Sequence, residues 1–127
     1  MFRGSILAVV SALMSIALVA GSVACQSPSN GGVTINLEAN NLAFNRQSIT
    51  VSAGASVALV FNNRDAGVGH NFALYRDSSA QQSIFIGQII NGPNTITYNF
   101  TAPTEPGTYF FRCDPHPLQM TGSFIVQ

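Results

Sequence analysis

The chain has 127 residues, of which 46% are hydrophobic and only 8% are charged, and its five basic residues, all of them arginine, balance five acids. One domain at most fits this length, and the charged share lies far below the roughly 25% of an ordinary soluble protein. Without a basic patch, the chain has no positively charged surface that could bind a phosphate backbone, which excludes nucleic acid as a partner.

The N-terminal segment, residues 1–24, has the pattern of a secretory signal peptide. Its uncharged apolar run, Ile6–Ala20, has 15 residues, which is short for a bilayer span of about 20 residues. Ser22 and Ala24 supply the small residues of a cleavage site, and cleavage after Ala24 exposes Cys25. A small-residue stretch that ends in cysteine resembles the lipobox of bacterial lipoproteins, although Ser22 stands where leucine is usual.

A polar, turn-forming stretch over residues 25–32 is suited to a flexible linker. Lipidation of Cys25, or retention of the N-terminal segment as an uncleaved anchor, would tether the protein to a membrane through this linker. We therefore expect an exported protein, in the periplasm or on the outer face of the cell membrane. Removal of residues 1–24 leaves 103 residues with four arginines against five acids, a net charge of about −1.

Residues 33–127 alternate apolar and polar side chains with the period of two that is typical of β-strands. Turn signals such as Ala53-Gly54 and Glu105-Pro106-Gly107 separate the runs. The runs predicted as strands are Val33–Leu37, Ser48–Val51, Ser56–Phe61, Asn71–Tyr75, Ser83–Ile90, Thr95–Phe100, Thr108–Arg112 and Ser123–Val126. Seven or eight short strands without a helical stripe predict one all-β domain, an antiparallel β-sandwich with an apolar core.

The residues able to do chemistry are concentrated near the C-terminus, where Cys113, His116 and Met120 follow one another as Cys-x2-His-x3-Met. Thiolate, imidazole and thioether together suit copper, which alternates between Cu(I) and Cu(II), whereas carboxylates suit harder ions. A strand that ends at Cys113 and a turn after it can fold the three side chains around one point. A further ligand has to come from a distant strand, and His70 is the only other histidine.

These residues resemble the pattern of the cupredoxins, the plastocyanin and azurin type of small blue copper protein. The family has a His-Asn pair early in the sandwich and then Tyr-x-Phe-x-Cys before a loop that carries His and Met. The matching residues here are His70, Asn71, Tyr109, Phe111, Cys113, His116 and Met120. The resemblance extends over essentially the whole domain.

The resemblance implies a Greek-key strand order and one type 1 copper ion with His70, Cys113 and His116 as equatorial ligands and Met120 as the weak axial ligand. It also implies that Asn71 ties the two ligand loops together and that a backbone group beside the first histidine hydrogen-bonds to the cysteine sulfur. The loop between His116 and Met120 is shorter than in plastocyanins, which leaves the axial bond length and the colour of the site open.

Three strong protein ligands and a weak fourth leave no open position for a substrate, whereas a catalytic metal needs one. The predicted function is therefore electron transfer by a mononuclear copper centre, and not enzymatic catalysis. The resemblance implies that electrons pass at the exposed edge of His116, where Val68, Pro115, Pro117 and Leu118 form an uncharged apolar rim. We expect a monomer that docks there transiently on a c-type cytochrome or a membrane electron-transport complex.

Other interpretations of these residues stay open. A copper-binding or copper-delivery protein of the same fold would hand the metal on, although the methionine-rich or histidine-rich runs expected of one do not occur. Cys113 with two histidines can also hold zinc. Taken singly, Cys113 can be an inert thiol or half of a disulfide with Cys25, His116 an ordinary surface imidazole and Met120 an adaptable core residue. Two histidines exclude a multicopper oxidase or a nitrite reductase, and one loop cysteine excludes a dinuclear copper centre.

Overall fold

The computed structural model describes residue 21 and residues 31–127. The cleavage-site residues Ser22 and Ala24, the lipidation candidate Cys25, and all of the predicted signal peptide apart from Gly21 lie outside the described residues. Among the described residues, no helix is long and apolar enough to cross a membrane.

Eleven strands account for the regular structure of residues 31–127. They are β1 (Val33–Asn40), β2 (Ala43–Phe44), β3 (Ser48–Val51), β4 (Ser56–Asn63), β5 (Gly69–His70), β6 (Ala73–Tyr75), β7 (Ser83–Ile86), β8 (Ile90–Asn91), β9 (Asn94–Thr101), β10 (Gly107–Arg112) and β11 (Thr121–Val126). A four-stranded sheet has the order β2-β1-β4-β9, a five-stranded sheet the order β3-β11-β10-β6-β7, and β5 and β8 form a small separate pair.

The apolar core lies between the two large sheets, as the alternation of side chains predicts. In β4 every second residue is buried, and Leu59 and Phe61 from this strand are fully enclosed. From the opposite sheet come Phe111 and Phe124, both equally buried. The ring of Phe72 lies 5.4 Å from that of Phe111 in the five-stranded sheet and 5.8 Å from that of Phe100 in the four-stranded sheet. Burial of each such side chain contributes about 1.5–3 kcal/mol.

The predicted runs appear as strands, with three differences. The run over residues 71–75 becomes a strand only from Ala73, and the run over residues 83–90 is divided into β7 and β8. The short strands β2 and β5 are additional, and they exist because longer or neighbouring strands supply their hydrogen-bond partners. Two strand pairs, β1 with β4 and β3 with β11, are parallel, whereas the other pairs are antiparallel.

Candidate metal centre

His70 ends β5 and is held inside the protein by the pairing of this short strand with β8. Its register partner is Ile90, and its side chain has no exposed surface. Gly69 before it packs so closely that an added Cβ would lie 3.0 Å from Ile89 Cγ2. The pairing of β5 with β8 thus places His70 in the protein interior, where both ring nitrogens must find partners.

The loop that carries the other three predicted ligands connects β10 to β11, which pair with each other. Cys113 follows the last residue of β10, and Met120 precedes the first residue of β11. The Cys113 N–H donates to the Met120 carbonyl at 2.9 Å, the His116 N–H to the Cys113 carbonyl at 3.1 Å, and the Met120 N–H to the His116 carbonyl at 3.1 Å. These bonds fold the loop so that Cys113, His116 and Met120 lie in one compact turn.

The two ligand segments meet where Cys113 contacts His70. The Cys113 Sγ lies 3.5 Å from His70 Nδ1, and the ring centroids of His70 and His116 are 4.8 Å apart at an interplanar angle of 64°. Cys113 and Met120 are fully buried, and His116 is partly exposed. Among the described residues, no three His, Cys, Asp or Glu side chains already stand in a metal-holding arrangement, so the four-residue ligand set stays a prediction.

The donors at this site fit copper in their chemistry. A buried thiol directly beside an imidazole nitrogen, with a second imidazole and a buried thioether on the adjoining loop, is the soft N and S donor set that copper prefers. Cys113 is a free thiol in the structure, and Cys25, its alternative disulfide partner, lies outside the described residues.

Burial raises the pKa of the Cys113 thiol above its ordinary value. Hydrogen bonds to the sulfur from the backbone N–H groups of Asn71 and His116 act in the opposite direction, but they do not outweigh the burial. The thiol is therefore protonated at neutral pH, and a metal ion that binds it must displace this proton.

Asn71 joins the two ligand segments, which is the role that the resemblance implies for it. Its Oδ1 accepts a hydrogen bond from the Asp114 N–H at 2.8 Å, and its Nδ2 donates to the Gly87 carbonyl at 2.9 Å. The Asn71 side chain is 1% exposed, so both bonds are sheltered from competing water. The first bond ties the residue after His70 to the residue after Cys113, and the second anchors Asn71 to the backbone at Gly87.

Two acids, Asp114 and Asp65, make further polar contacts at the site, and for Asp114 its position next to Cys113 already suggested from the sequence that it stiffens the loop. Asp114, beside Cys113, accepts hydrogen bonds from the Tyr75 hydroxyl at 2.7 Å and from Arg112 Nε at 2.8 Å, which holds the start of the ligand loop. Asp65 Oδ2 lies 2.8 Å from His70 Nε2. The position of Asp65, four residues after the predicted strand Ser56–Phe61 and five residues before a candidate ligand, is too weak a signal to identify it from the sequence.

The predicted apolar rim is at the surface. Leu118 is 89% exposed, Pro115 and Pro117 are exposed, and Val68 is partly exposed. Val68 also lines a surface depression together with Asn41, Leu42, Asp65 and Ala66.

Residues 32–127 match the family model of the copper-binding proteins of the plastocyanin/azurin family. Auracyanin-A from Chloroflexus aurantiacus is 30% identical over 76% of both chains. The solved structure of this blue copper protein superposes with a TM-score of 0.69 and 29% identity, covering 76% of this chain and all of that one. Reduced auracyanin from Roseiflexus castenholzii, at 24% identity, has a TM-score of 0.67 over 74% of this chain and 96% of its own, and this second likeness bears on the fold alone.

Proposed function

Since this chain belongs to the plastocyanin/azurin family of copper-binding proteins, we propose that it carries single electrons between redox proteins outside the cytoplasm. Membership makes copper its cofactor and electron transfer its class of activity, and it agrees with the predicted β-sandwich. The proposed ligands are His70, Cys113, His116 and Met120. The observation that carries the proposal is the buried contact of 3.5 Å between Cys113 Sγ and His70 Nδ1.

Bound copper supplies a one-electron couple between Cu(I) and Cu(II). The chain supplies donors whose positions are fixed by bonds that do not involve the donor atoms. Asn71 holds the backbone after Cys113 at 2.8 Å, and the turn from Cys113 to Met120 is closed by its own backbone hydrogen bonds. A site framed in this way rearranges little when the charge on the metal changes, which favours fast electron transfer.

We propose a carrier, not an enzyme, because the assigned donors would fill the coordination sphere. Two imidazoles, a thiolate and a thioether leave no strong position for a substrate. Of the four proposed ligands, His116 alone is partly exposed, whereas His70, Cys113 and Met120 are fully buried.

Electrons are proposed to enter and leave at His116, through the rim of Val68, Pro115, Pro117 and Leu118. Most charged side chains of the domain form local ion pairs, so little unpaired charge is left to attract a partner over a distance. The pairs are Arg64–Glu38 at 3.1 Å, Arg76–Glu105 at 3.4 Å and Arg112–Asp114 at 2.8 Å. A c-type cytochrome or a membrane electron-transport complex with an apolar docking face fits such a rim in a small transient interface.

The place of action follows from the sequence before residue 31. The signal-peptide pattern of residues 1–24 supports export to the periplasm or the outer face of the cell membrane. Cys25, if lipidated, or the N-terminal segment, if retained, would tether the domain through the polar linker. We propose that the domain acts as a monomer on this tether.

The test is the visible spectrum of the purified protein with added Cu(II). We expect an intense thiolate-to-copper band that disappears on reduction, returns on reoxidation and is absent in Cys113→Ser. The matched control is Cys25→Ser, which removes the other thiol of the chain and should keep the band. A colourless wild type would refute the proposal, and loss of copper at each reduction would favour the copper-delivery alternative.

A further inference from the structure

The carboxylate of Asp65 contacts the nitrogen of His70 that Cys113 does not face. Asp65 Oδ2 lies 2.8 Å from His70 Nε2, whereas Nδ1 of the same ring is directed at the Cys113 sulfur, 3.5 Å away. His70 is fully buried, and the Asp65 side chain is 12% exposed. The ring is therefore held between a carboxylate and a thiol.

This contact determines which nitrogen of His70 carries the proton. An ionised carboxylate accepts hydrogen bonds and donates none, so Nε2 must be the N–H donor to Asp65. The lone pair is then on Nδ1, which faces Cys113 and is free to bind a metal. The opposite tautomer would put a lone pair against the carboxylate and a proton where the metal has to bind.

The Asp65 carboxylate is itself held by two backbone groups from the turn after β1. The Asn41 N–H donates to Oδ1 at 2.6 Å, and the Leu42 N–H donates to Oδ2 at 3.0 Å. Asn41 and Leu42 both have positive φ, 53° and 57°, a conformation in which successive N–H groups converge on one anion. These donors favour the ionised form and prevent the carboxylate from turning away from His70.

The backbone of Asp65 is equally constrained. Its N–H donates to Asn63 Oδ1 at 2.9 Å, and Asn63, which is fully buried, donates through Nδ2 to the carbonyls of Val68 and Ile90 at 2.8 Å each. Gly92 packs against this segment so tightly that an added Cβ would lie 2.7 Å from Asn63 Oδ1. The carboxylate is thus part of the rigid framework around His70.

We propose that Asp65 is a positioning residue of the copper site, which fixes the metal-binding tautomer of His70 and stabilises Cu(II) over Cu(I). This inference rests on the proposed function. A carboxylate bonded to a metal-binding histidine increases the basicity of the ligand, and its negative charge favours the more positive metal state. Asp65 therefore lowers the reduction potential.

The experiment compares reduction potentials of the copper-loaded full chain in wild type, Asp65→Asn and Asp77→Asn. Loss of a carboxylate that is hydrogen-bonded to a metal-binding histidine typically weakens metal binding by about 10–100-fold. If Cu(II) binding in Asp65→Asn weakens about tenfold more than Cu(I) binding, the potential rises by about 59 mV. Asp77→Asn removes the same charge from an exposed turn residue and should leave the potential unchanged.

A potential of Asp65→Asn equal to that of Asp77→Asn, in a folded and coloured protein, would overturn the inference alone. A wild type without a coloured and reversible couple would overturn the proposed function and this inference with it. If Asp65→Asn does not fold, nuclear magnetic resonance of the diamagnetic Cu(I) wild type decides. We expect the Nε2 proton of His70 to exchange with solvent far more slowly than that of His116, and equal exchange would refute the assigned hydrogen bond.

Discussion

Replacement of Asn71 by alanine tests whether the two ligand segments are held together by this one side chain. The substitution removes the bond from the Asp114 N–H at 2.8 Å and the bond to the Gly87 carbonyl at 2.9 Å. Both partners are backbone groups and stay in place. With Asn71 only 1% exposed, the truncated side chain leaves them facing a cavity.

The expected loss of stability follows from these two groups. A buried polar group that loses its partner costs about 1–3 kcal/mol. The Gly87 carbonyl is buried at this bond, and the Asp114 N–H is partly buried, so we assign about 1–3 kcal/mol to the first and about 1–2 kcal/mol to the second. The sum is about 2–5 kcal/mol, a large part of the roughly 5–15 kcal/mol that stabilises a typical domain.

Chemical denaturation of the copper-free protein measures this loss without the added stability that bound metal brings. The matched control is Asn99→Ala, which truncates an exposed asparagine of β9 and should change the free energy of unfolding by less than about 0.5 kcal/mol. In copper titrations, Asn71→Ala should also bind less tightly, because Asp114 and the adjoining Cys113 lose their tie to the His70 segment. A loss below about 1 kcal/mol would refute the role of Asn71 as the link.

Three further predictions concern alkaline stability, packing and docking. Burial raises the pKa of Tyr98 to about 12, so the folded protein keeps a proton that the unfolded chain loses above about pH 10. Wild type, whose Tyr98 hydroxyl donates to the Gln88 carbonyl at 2.6 Å, should exceed Tyr98→Phe by about 1 kcal/mol at pH 8. In denaturation at rising pH, this advantage should fall by about 1.4 kcal/mol per unit between about pH 10 and 12 and so change sign, and a constant difference would contradict the assignment. Gly122→Ala should lower the free energy of unfolding by about 1–3 kcal/mol, because its Cβ would collide with the Phe111 ring and lie 2.8 Å from the Gln47 carbonyl; Gly32→Ala, with nothing nearer than 3.8 Å, is the control. The rate of electron transfer to a c-type cytochrome should change by less than about tenfold between low and high salt, whereas steered associations lose about 10–1,000-fold, and a steep loss would refute docking by the apolar rim.

The sequence was sufficient to predict the larger strands because their side chains alternate over the whole run. In β3 the apolar residues Ile49 and Val51 are buried and the polar residues Ser48 and Thr50 are exposed, and this alternation can be recognised from the sequence alone. The two-residue strands β2 and β5 have no such pattern, since two residues cannot show a period. β5, which carries His70, exists because β8 pairs with it, and that pairing is a property of the fold.

The same distinction applies within the site. Cys113, His116 and Met120 are close in sequence, and their spacing alone indicated a common centre. Asp65 could not be recognised in this way, because its role depends on two backbone N–H groups, those of Asn41 and Leu42, which are 24 and 23 residues away. The pattern of side chains does not show that the turn residues Asn41 and Leu42 have positive φ angles, or that this conformation directs both of their N–H groups at one carboxylate.

The two halves of the proposed site belong to different parts of the sandwich, and this determines how copper relates to folding. His70 lies on the β5–β8 pair, and the loop of Cys113 extends from the five-stranded sheet. Their connection passes through Asn71, whose partners are the Asp114 N–H and the Gly87 carbonyl, and none of these groups is a proposed ligand. Since the framework does not depend on the donor atoms, the apolar core suffices to fold the site. Copper should then stabilise the domain only by mass action, to an extent set by its affinity and concentration. Without metal, the chain should keep its β-sandwich fold until it unfolds in one cooperative transition.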